Sequence, residues 1–387
     1  MKNLSKEEAG RAIPAKGKVP NADPGQIVLV FQGGGALGAY QAGVYQALHE
    51  AGIEPDWVIG TSIGAINASL IAGNEPGDRL SRLKEFWCRV SHKAWWNGTA
   101  AWPQFTQSLL YFNTVMSGLP NFFAPNPAAH WGQKVVLGAE HAGYYSTAPL
   151  EKSLLDLVDF KLISRCKPRL TVGAAQVRTS KMRYFDSRDM EIGVKHIMAS
   201  GALPPAFPAV RIEGELYWDG GILSNTPAEV VFDDNPRRNS LIFAVHLWNP
   251  EGPEPESIAD VLHRQKDIQY SSRVSSHIAR QLHSHRLRHV IKQLAAQIPE
   301  PARSSEIVRE LESWGCQTRM HVVRLLAPTL ANDDHTKDVD FSPSGIKSRW
   351  EAGYANAMGA IERAPWAGEF DPLEGVILHE PLQMVDT

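Results

Sequence analysis

Two short apolar runs, each ending in glycines before a stretch of helical spacing, constrain this chain more than any other feature. IVLVF at 27–31 leads into QGGGALG, and DWVIG at 56–60 leads into TSIG. A run of about five apolar residues bounded by turn formers reads as a buried strand. After the first run, Leu37, Tyr40, Val44 and Leu48 recur at the spacing of one helix face, and Gly52 supplies a stop. After the second, IGAINASLIAGN at 63–74 reads as a helix of small residues. Two consecutive strand, glycine turn and helix units require right-handed crossovers and a parallel sheet covered on both faces. The expected fold class is therefore α/β, with a three-layer α/β/α core and a mainly parallel sheet.

Further candidate strands are RLTVGAAQV (169–177), MRYFD (182–186), ELYW (215–218) and SLIFAVHLW (240–248). A Pro-rich break, NPEGPEPES at 249–257, precedes a mostly helical stretch to 313. RMHVVRLLAP (319–328) returns to strand character, and 342–364 reads as a helix with Ser342 as its N-cap. These breaks divide the chain into a disordered leader at 1–25, a main domain at 26–250 and a mostly helical C-terminal extension at 251–387. An aromatic-rich helical insertion is expected at about 75–147 of the main domain.

The formal net charge of −3, from 39 Lys and Arg against 42 Asp and Glu, offers no field to attract nucleic acid. Three scattered cysteines provide neither a disulfide framework nor zinc spacing, which fits a reducing compartment, the cytoplasm. The polar first 25 residues lack the apolar core of a signal peptide, and no segment reaches the length of a spanning helix. A soluble or peripherally attached protein is the expectation.

The first turn matches a dinucleotide fingerprint through Gly33, Gly35 and Gly38, but Gly60 and Thr61 stand where the acidic partner belongs, and no P-loop lysine follows. No cofactor or metal is called for. What remains is a row of backbone N–H groups at a helix N-terminus, suited to an oxyanion or present only for tight packing. The second turn is G-x-S-x-G, with Ser62 between Gly60 and Gly64. Ser62 is either the nucleophile of a sharp elbow or the plain N-cap of the following helix. Acyl transfer needs both a nucleophile and donors for the developing charge, and the two turns are adjacent. Five of the fourteen histidines cluster at 263–289, outside any strand end, so a base is sought elsewhere. WDGG at 218–221 places Asp219 after a strand with Gly220 and Gly221 behind it, either as a base or as a simple Asp-Gly turn.

With these places in view the chain resembles the patatin-like phospholipase family. QGGGALG resembles its oxyanion loop, GTSIG its elbow and DGG its aspartate motif, in the family's order. MASGALPPAFPAV (198–210) and SNTPAEV (224–230) resemble the segments on either side of that aspartate, and the likeness spans about 26–250. The resemblance implies Ser62 as nucleophile, Asp219 as its partner in a Ser-Asp dyad, and an oxyanion hole from Gly33, Gly34, Gly35, Ala36 and Gly38. It implies no catalytic histidine. A carboxylate near its reference pKa of ~3.9 is a weak base for a serine, so burial must raise Asp219. One departure is Leu37, where family members often carry Arg or Lys. FSPSGIKSRWEAGYANA (341–357) resembles an extension found on a subset of bacterial members.

The function implied is a lipid acyl hydrolase of phospholipase A or lysophospholipase type, working through an acyl-enzyme. The alternatives are an acyltransferase, a hydrolase of neutral lipid or storage polyester, and a lipid-binding protein without catalysis. Phe86, Trp87, Trp95, Trp96, Trp102, Phe105, Tyr111, Phe112, Phe122, Phe123 and Trp131 form either an acyl pocket or membrane-facing cap, or the core of the insertion. Arg280, Arg286, Arg288 and Lys292 meet anionic headgroups only if they share one helix face.

Overall fold

The computed structural model describes residues 25–92, 114–165, 167–271, 274–330 and 333–380. Strand β1 (Gln26–Phe31), helix α1 (Ala39–Glu50), β2 (Trp57–Thr61) and α2 (Ile63–Ala72) follow in the expected order. β1 pairs parallel with β2, Phe31 opposite Gly60, so both glycine turns open at the same C-terminal edge of the sheet. Sites in open parallel sheets form at that edge.

Beyond β2 the sheet changes direction. β3 (Arg169–Gln176) is parallel to β2, with Thr61 opposite Gly173. β4 (Lys181–Asp186) runs antiparallel along one edge of β3, from Thr171 to Gln176. After α4 (Ala148–Leu157) and α5 (Val194–Ser200), the hairpin of β5 (Val210–Ile212) and β6 (Glu215–Asp219) returns to β3. β6 pairs antiparallel with Ala174–Gln176, residues whose other edge β4 already occupies. It therefore takes over the edge of β3 where β2 leaves off. Asp219, opposite Ala174, meets the end of β2 one register position from Thr61, and so adjoins Ser62.

On the other side of β1 lies β7 (Ser240–His246), again parallel. The region after residue 250 contains α6 (Ile258–Ser271), α7 (Val274–Ala296), α8 (Glu306–Ser313), β8 (Met320–Leu326), α9 (Pro343–Arg363) and β9 (Val376–His379). It is helical, yet β8 and β9 extend the same nine-stranded sheet, each in parallel. α9 lies on α1, where Trp350 Nε1 donates to Gln46 Oε1 at 2.7 Å and Asn356 Nδ2 to the Tyr40 hydroxyl at 3.0 Å. Ser342 caps it as expected, its Oγ accepting from the Gly345 N–H at 3.0 Å, with Pro343 at the first helical position.

Alternation along β1 builds the three layers. Leu29 and Phe31 face a core shared with α1, α2 and α9, while Val28 and Val30 face Val231, Phe232 and Ile242 on the opposite side. Of the helical insertion expected at about 75–147, residues 93–113 lie outside the described residues, and the described remainder is only partly helical. α3 (Pro76–Arg89) is helical, but 118–147 is mostly turns with a short ribbon pairing Ala124–Pro125 and Tyr145–Ser146. Gly118, Pro120, Pro125, Pro127, Gly132, Gly138 and Gly143 interrupt any helical run there. Among the described residues no helix is long and apolar enough to cross a membrane.

Candidate active site

Ser62 joins β2 to α2 with φ 56° and ψ −127°, a conformation that L side chains rarely adopt. The corner is this tight because the chain has no room. A Cβ on Gly60 would lie 2.3 Å from the Gly64 carbonyl oxygen, and one on Gly64 2.4 Å from that of Phe31. Ser62 occupies the N-cap position of α2, but its side chain makes no capping hydrogen bond, which removes the capping explanation for this serine. Its backbone N–H donates to Ser200 Oγ at 2.9 Å, and the Ser200 hydroxyl donates to the Gly173 carbonyl at 2.6 Å.

Asp219 closes β6 and is 3% exposed. Its N–H donates to the Ala202 carbonyl at 3.0 Å, and its Oδ1 accepts from the Gly221 N–H at 2.7 Å. That second bond is the Asp-Gly turn anticipated from WDGG, and the Ser62 side chain is the other neighbour that acts on the same carboxylate. Burial pushes the Asp219 carboxyl up to about 6, and the hydrogen bonds from Ser62 and Gly221 oppose that rise. Among the described residues no histidine hydrogen-bonds Ser62 or Asp219.

The glycine loop narrows the set of expected donors. The Gly33 N–H donates to the Asn225 carbonyl at 3.2 Å, so it is already used. Ala36 and Gly38 lie within the short 3-10 turn Gly35–Gly38. The N–H groups of Gly34, Gly35 and Ala36, the last at the start of that turn, have no hydrogen-bond partner among the described residues, and Gly35 adopts a left-handed φ of 55°. Leu37 is buried and shares a narrow cleft with Lys337 and Arg349.

Several residues that hold this geometry went unnoticed in the sequence. The Gly33 carbonyl accepts from Trp248 Nε1 at 2.8 Å and from Asn225 Nδ2 at 3.1 Å. Gln32 Oε1 accepts from the N–H groups of Leu247 at 2.5 Å and Trp248 at 3.1 Å, and Gln41 Nε2 donates to the Gln32 carbonyl at 2.6 Å. Asn67 Nδ2 donates to the Gly38 carbonyl at 2.9 Å, while Asn67 Oδ1 accepts from Trp87 Nε1 at 3.1 Å. Buried polar groups must find such partners. Ser200 and Asn225 lay inside the two segments already singled out around the aspartate, whereas Gln41, Asn67 and Trp248 carried no local signal.

The aromatic and basic stretches divide. Phe86, Trp87, Phe122 and Phe123 are buried in the core and in ring contact with one another or with Phe341, as packing requires. Trp131 is exposed, and Trp95, Trp96, Trp102, Phe105, Tyr111 and Phe112 lie outside the described residues. On α7, Arg280 and Arg286 are exposed, but Arg288 buries one guanidinium nitrogen and Lys292 pairs with Glu312 at 3.0 Å. They do not form one exposed basic face.

Comparison with known proteins gives concordant matches. A family model described as Patatin-like phospholipase matches residues 29–232, and one described as Patatin phospholipase matches 268–373. The patatin-like phospholipase domain-containing protein ZK370.4 of Caenorhabditis elegans is 30% identical over 206 residues, which is 53% of this chain and 12% of that protein. Lysophospholipase nte1 of Aspergillus terreus is 59% identical over 259 residues, 61% of this chain and 14% of its own length. The chain thus spans a small fraction of these curated relatives. A solved structure, VipD from Legionella pneumophila, is 14% identical and superposes with a TM-score of 0.38 over 88% of this chain and 67% of that one. The first family model alone covers more than half of the 387 residues, and the chain belongs to the patatin-like phospholipase family.

Proposed function

We propose that the chain is a serine acyl hydrolase acting on lipid esters, with Ser62 as nucleophile, Asp219 as base and the Gly34 and Gly35 N–H groups as the core of the oxyanion hole. The observation that carries this reading is the pairing of a strained serine, unused as a cap, with a buried aspartate raised to about 6. A base poised near neutrality accepts the serine proton far better than an ordinary carboxylate.

In the proposed cycle the Ser62 hydroxyl passes its proton to Asp219 as Oγ attacks the ester carbonyl. The negative charge moves to the carbonyl oxygen, where free N–H groups at a helix N-terminus stabilise it. Collapse breaks the ester bond, and the departing alcohol takes the proton from Asp219. Water then gives a proton to Asp219 and attacks the acyl-enzyme, releasing the fatty acid and restoring Ser62. The name of lysophospholipase nte1 supports a lysophospholipid as the ester, and the family model's description a phospholipid.

Residues 26–250 supply these groups, and the described residues beyond 250 complete and brace the sheet. The same proposal puts the reaction in the cytoplasm at a lipid surface. Its supports are scattered cysteines, with Cys88 free and exposed, and the exposed apolar residues Ile258, Val261, Leu262 and Ile268 along α6. The test is intact mass after a fluorophosphonate, with p-nitrophenyl esters of graded length alongside. One adduct on the wild type, absent from Ser62→Ala and slowed in Asp219→Asn, is the expected result. An adduct that persists in Ser62→Ala would overturn the assignment.

A further inference from the structure

The region beyond residue 250 reaches the glycine loop from behind at two points. Tyr270, near the end of α6, accepts at its carbonyl from Gln32 Nε2 and Asn225 Nδ2, both at 3.2 Å, and its ring centroid lies 4.9 Å from that of Trp248. The second point is the turn Lys337–Val339. The Asp338 carbonyl oxygen presses on the loop so closely that a Cβ on Gly35 would lie 2.2 Å from it.

Lys337 pins this turn. Its Nζ lies 2.7 Å from Asp267 Oδ1 and 2.8 Å from His263 Nε2, both on α6, and 5.3 Å from the centre of the Trp248 ring. Lys337 and Asp267 are only 3% and 5% exposed. From the outer side, Lys266 Nζ holds the Asp338 carboxylate at 2.7 Å. Trp248 in turn donates to the Gly33 carbonyl, so the ammonium, the indole and the glycine loop stand in one line of contacts. A buried ion pair adds little net stability over apolar packing, but it holds its partners in one geometry.

We propose that Lys337 is a positioning residue for acyl transfer. By pairing with Asp267 and seating against Trp248, it locks the 337–339 turn onto Gly35 and so aims the Gly34 and Gly35 N–H groups at the carbonyl attacked by Ser62. The inference rests on the reading of that loop as the oxyanion hole. Lys337 touches no reacting atom and acts through the backbone. Oxyanion donors must lie within about 2.7–3.1 Å of the developing charge, so a small rotation of these peptides weakens the transition state without changing how the substrate binds.

The test is the double variant Lys337→Met/Asp267→Leu, which removes both charges together and orphans neither. With the melting temperature close to that of the wild type, kcat on a short p-nitrophenyl ester is expected to fall at least about tenfold while KM stays within roughly twofold. A purely structural role predicts instead a kcat that follows the folded fraction. Wild-type kcat in the folded double variant overturns the proposal. Should that variant not fold, Lys266→Met, whose side chain is partly exposed, decides: a fall of about threefold in kcat at constant KM is expected, and an unchanged kcat overturns it. Ser62→Ala in the same assay separates the two levels. If it keeps wild-type turnover, the reading of the site has failed; if it is inactive while the double variant is fully active, only the role of Lys337 has.

Discussion

The two glycine turns sit side by side on one sheet edge, yet they are built in different ways. The elbow is shaped close to home: Gly60, Ser62 and Gly64 force the corner against the end of β1, and one distant hydroxyl, Ser200, pins its N–H. The loop Gly33–Gly38 is held almost entirely from afar, by Asn225, Trp248 and the 337–339 turn. On the proposed reading Ser62 is a nucleophile to be fixed in one strained conformation, which a few residues suffice to impose. A row of N–H groups proposed as oxyanion donors cannot be satisfied locally and still serve, so its support comes from the carbonyl side and from remote chain.

This contrast makes ranked predictions. The largest effect is expected from Ser62→Ala, with kcat/KM falling by at least about 10³ and the fold intact, measured as ester turnover against circular dichroism. Gly64→Ala comes next, because the added Cβ meets the Phe31 carbonyl at 2.4 Å; activity and melting temperature should fall together, with a stability loss of about 1–3 kcal/mol. Trp248→Phe keeps the ring but removes one of two donors to the Gly33 carbonyl. It should lower kcat about tenfold while labelling of Ser62 by fluorophosphonate still goes to completion. If Trp248→Phe instead abolished labelling, the separation of loop from elbow would be wrong.

The smaller effects sharpen the same division. Ser200→Ala leaves the Ser62 N–H and the Gly173 carbonyl without their shared partner, at a cost of about 1–3 kcal/mol by denaturant titration. Asp219 bears on stability with the opposite sign. Its folded pKa lies above the unfolded value, so its contribution is fully present below about pH 4 and is lost as pH rises through about 6. Above that the wild type carries the cost of a buried charge. Asp219→Asn should therefore be more stable than the wild type by about 3 kcal/mol at pH 7.5 and close to it below about pH 4.

The same contrast explains what the sequence made legible. The strand order through β2, the elbow and the strand ending at Asp219 were readable because hydrophobic period and glycine spacing are local signals. The meeting of Asp219 with Ser62 was not, since it depends on β6 entering antiparallel at the edge of β3 that β2 vacates, a matter of register between distant strands. Gln41, Asn67 and Trp248 look like ordinary helix or strand-end residues until the fold brings them to the glycine loop. In 118–147 the glycines and prolines, not the aromatic residues, decide the backbone, so no helix forms over most of it.

The central claim is that a buried Asp219, and no histidine, activates Ser62. Its most direct test is the pH dependence of the fluorophosphonate reaction rate from pH 4 to 9, on the wild type and on Asp219→Asn. The account predicts a rate that rises through a single ionisation near 6 in the wild type and a slow, pH-independent rate in Asp219→Asn. A midpoint near 6 that survives unchanged in Asp219→Asn would contradict it, because some other group would then be carrying the proton.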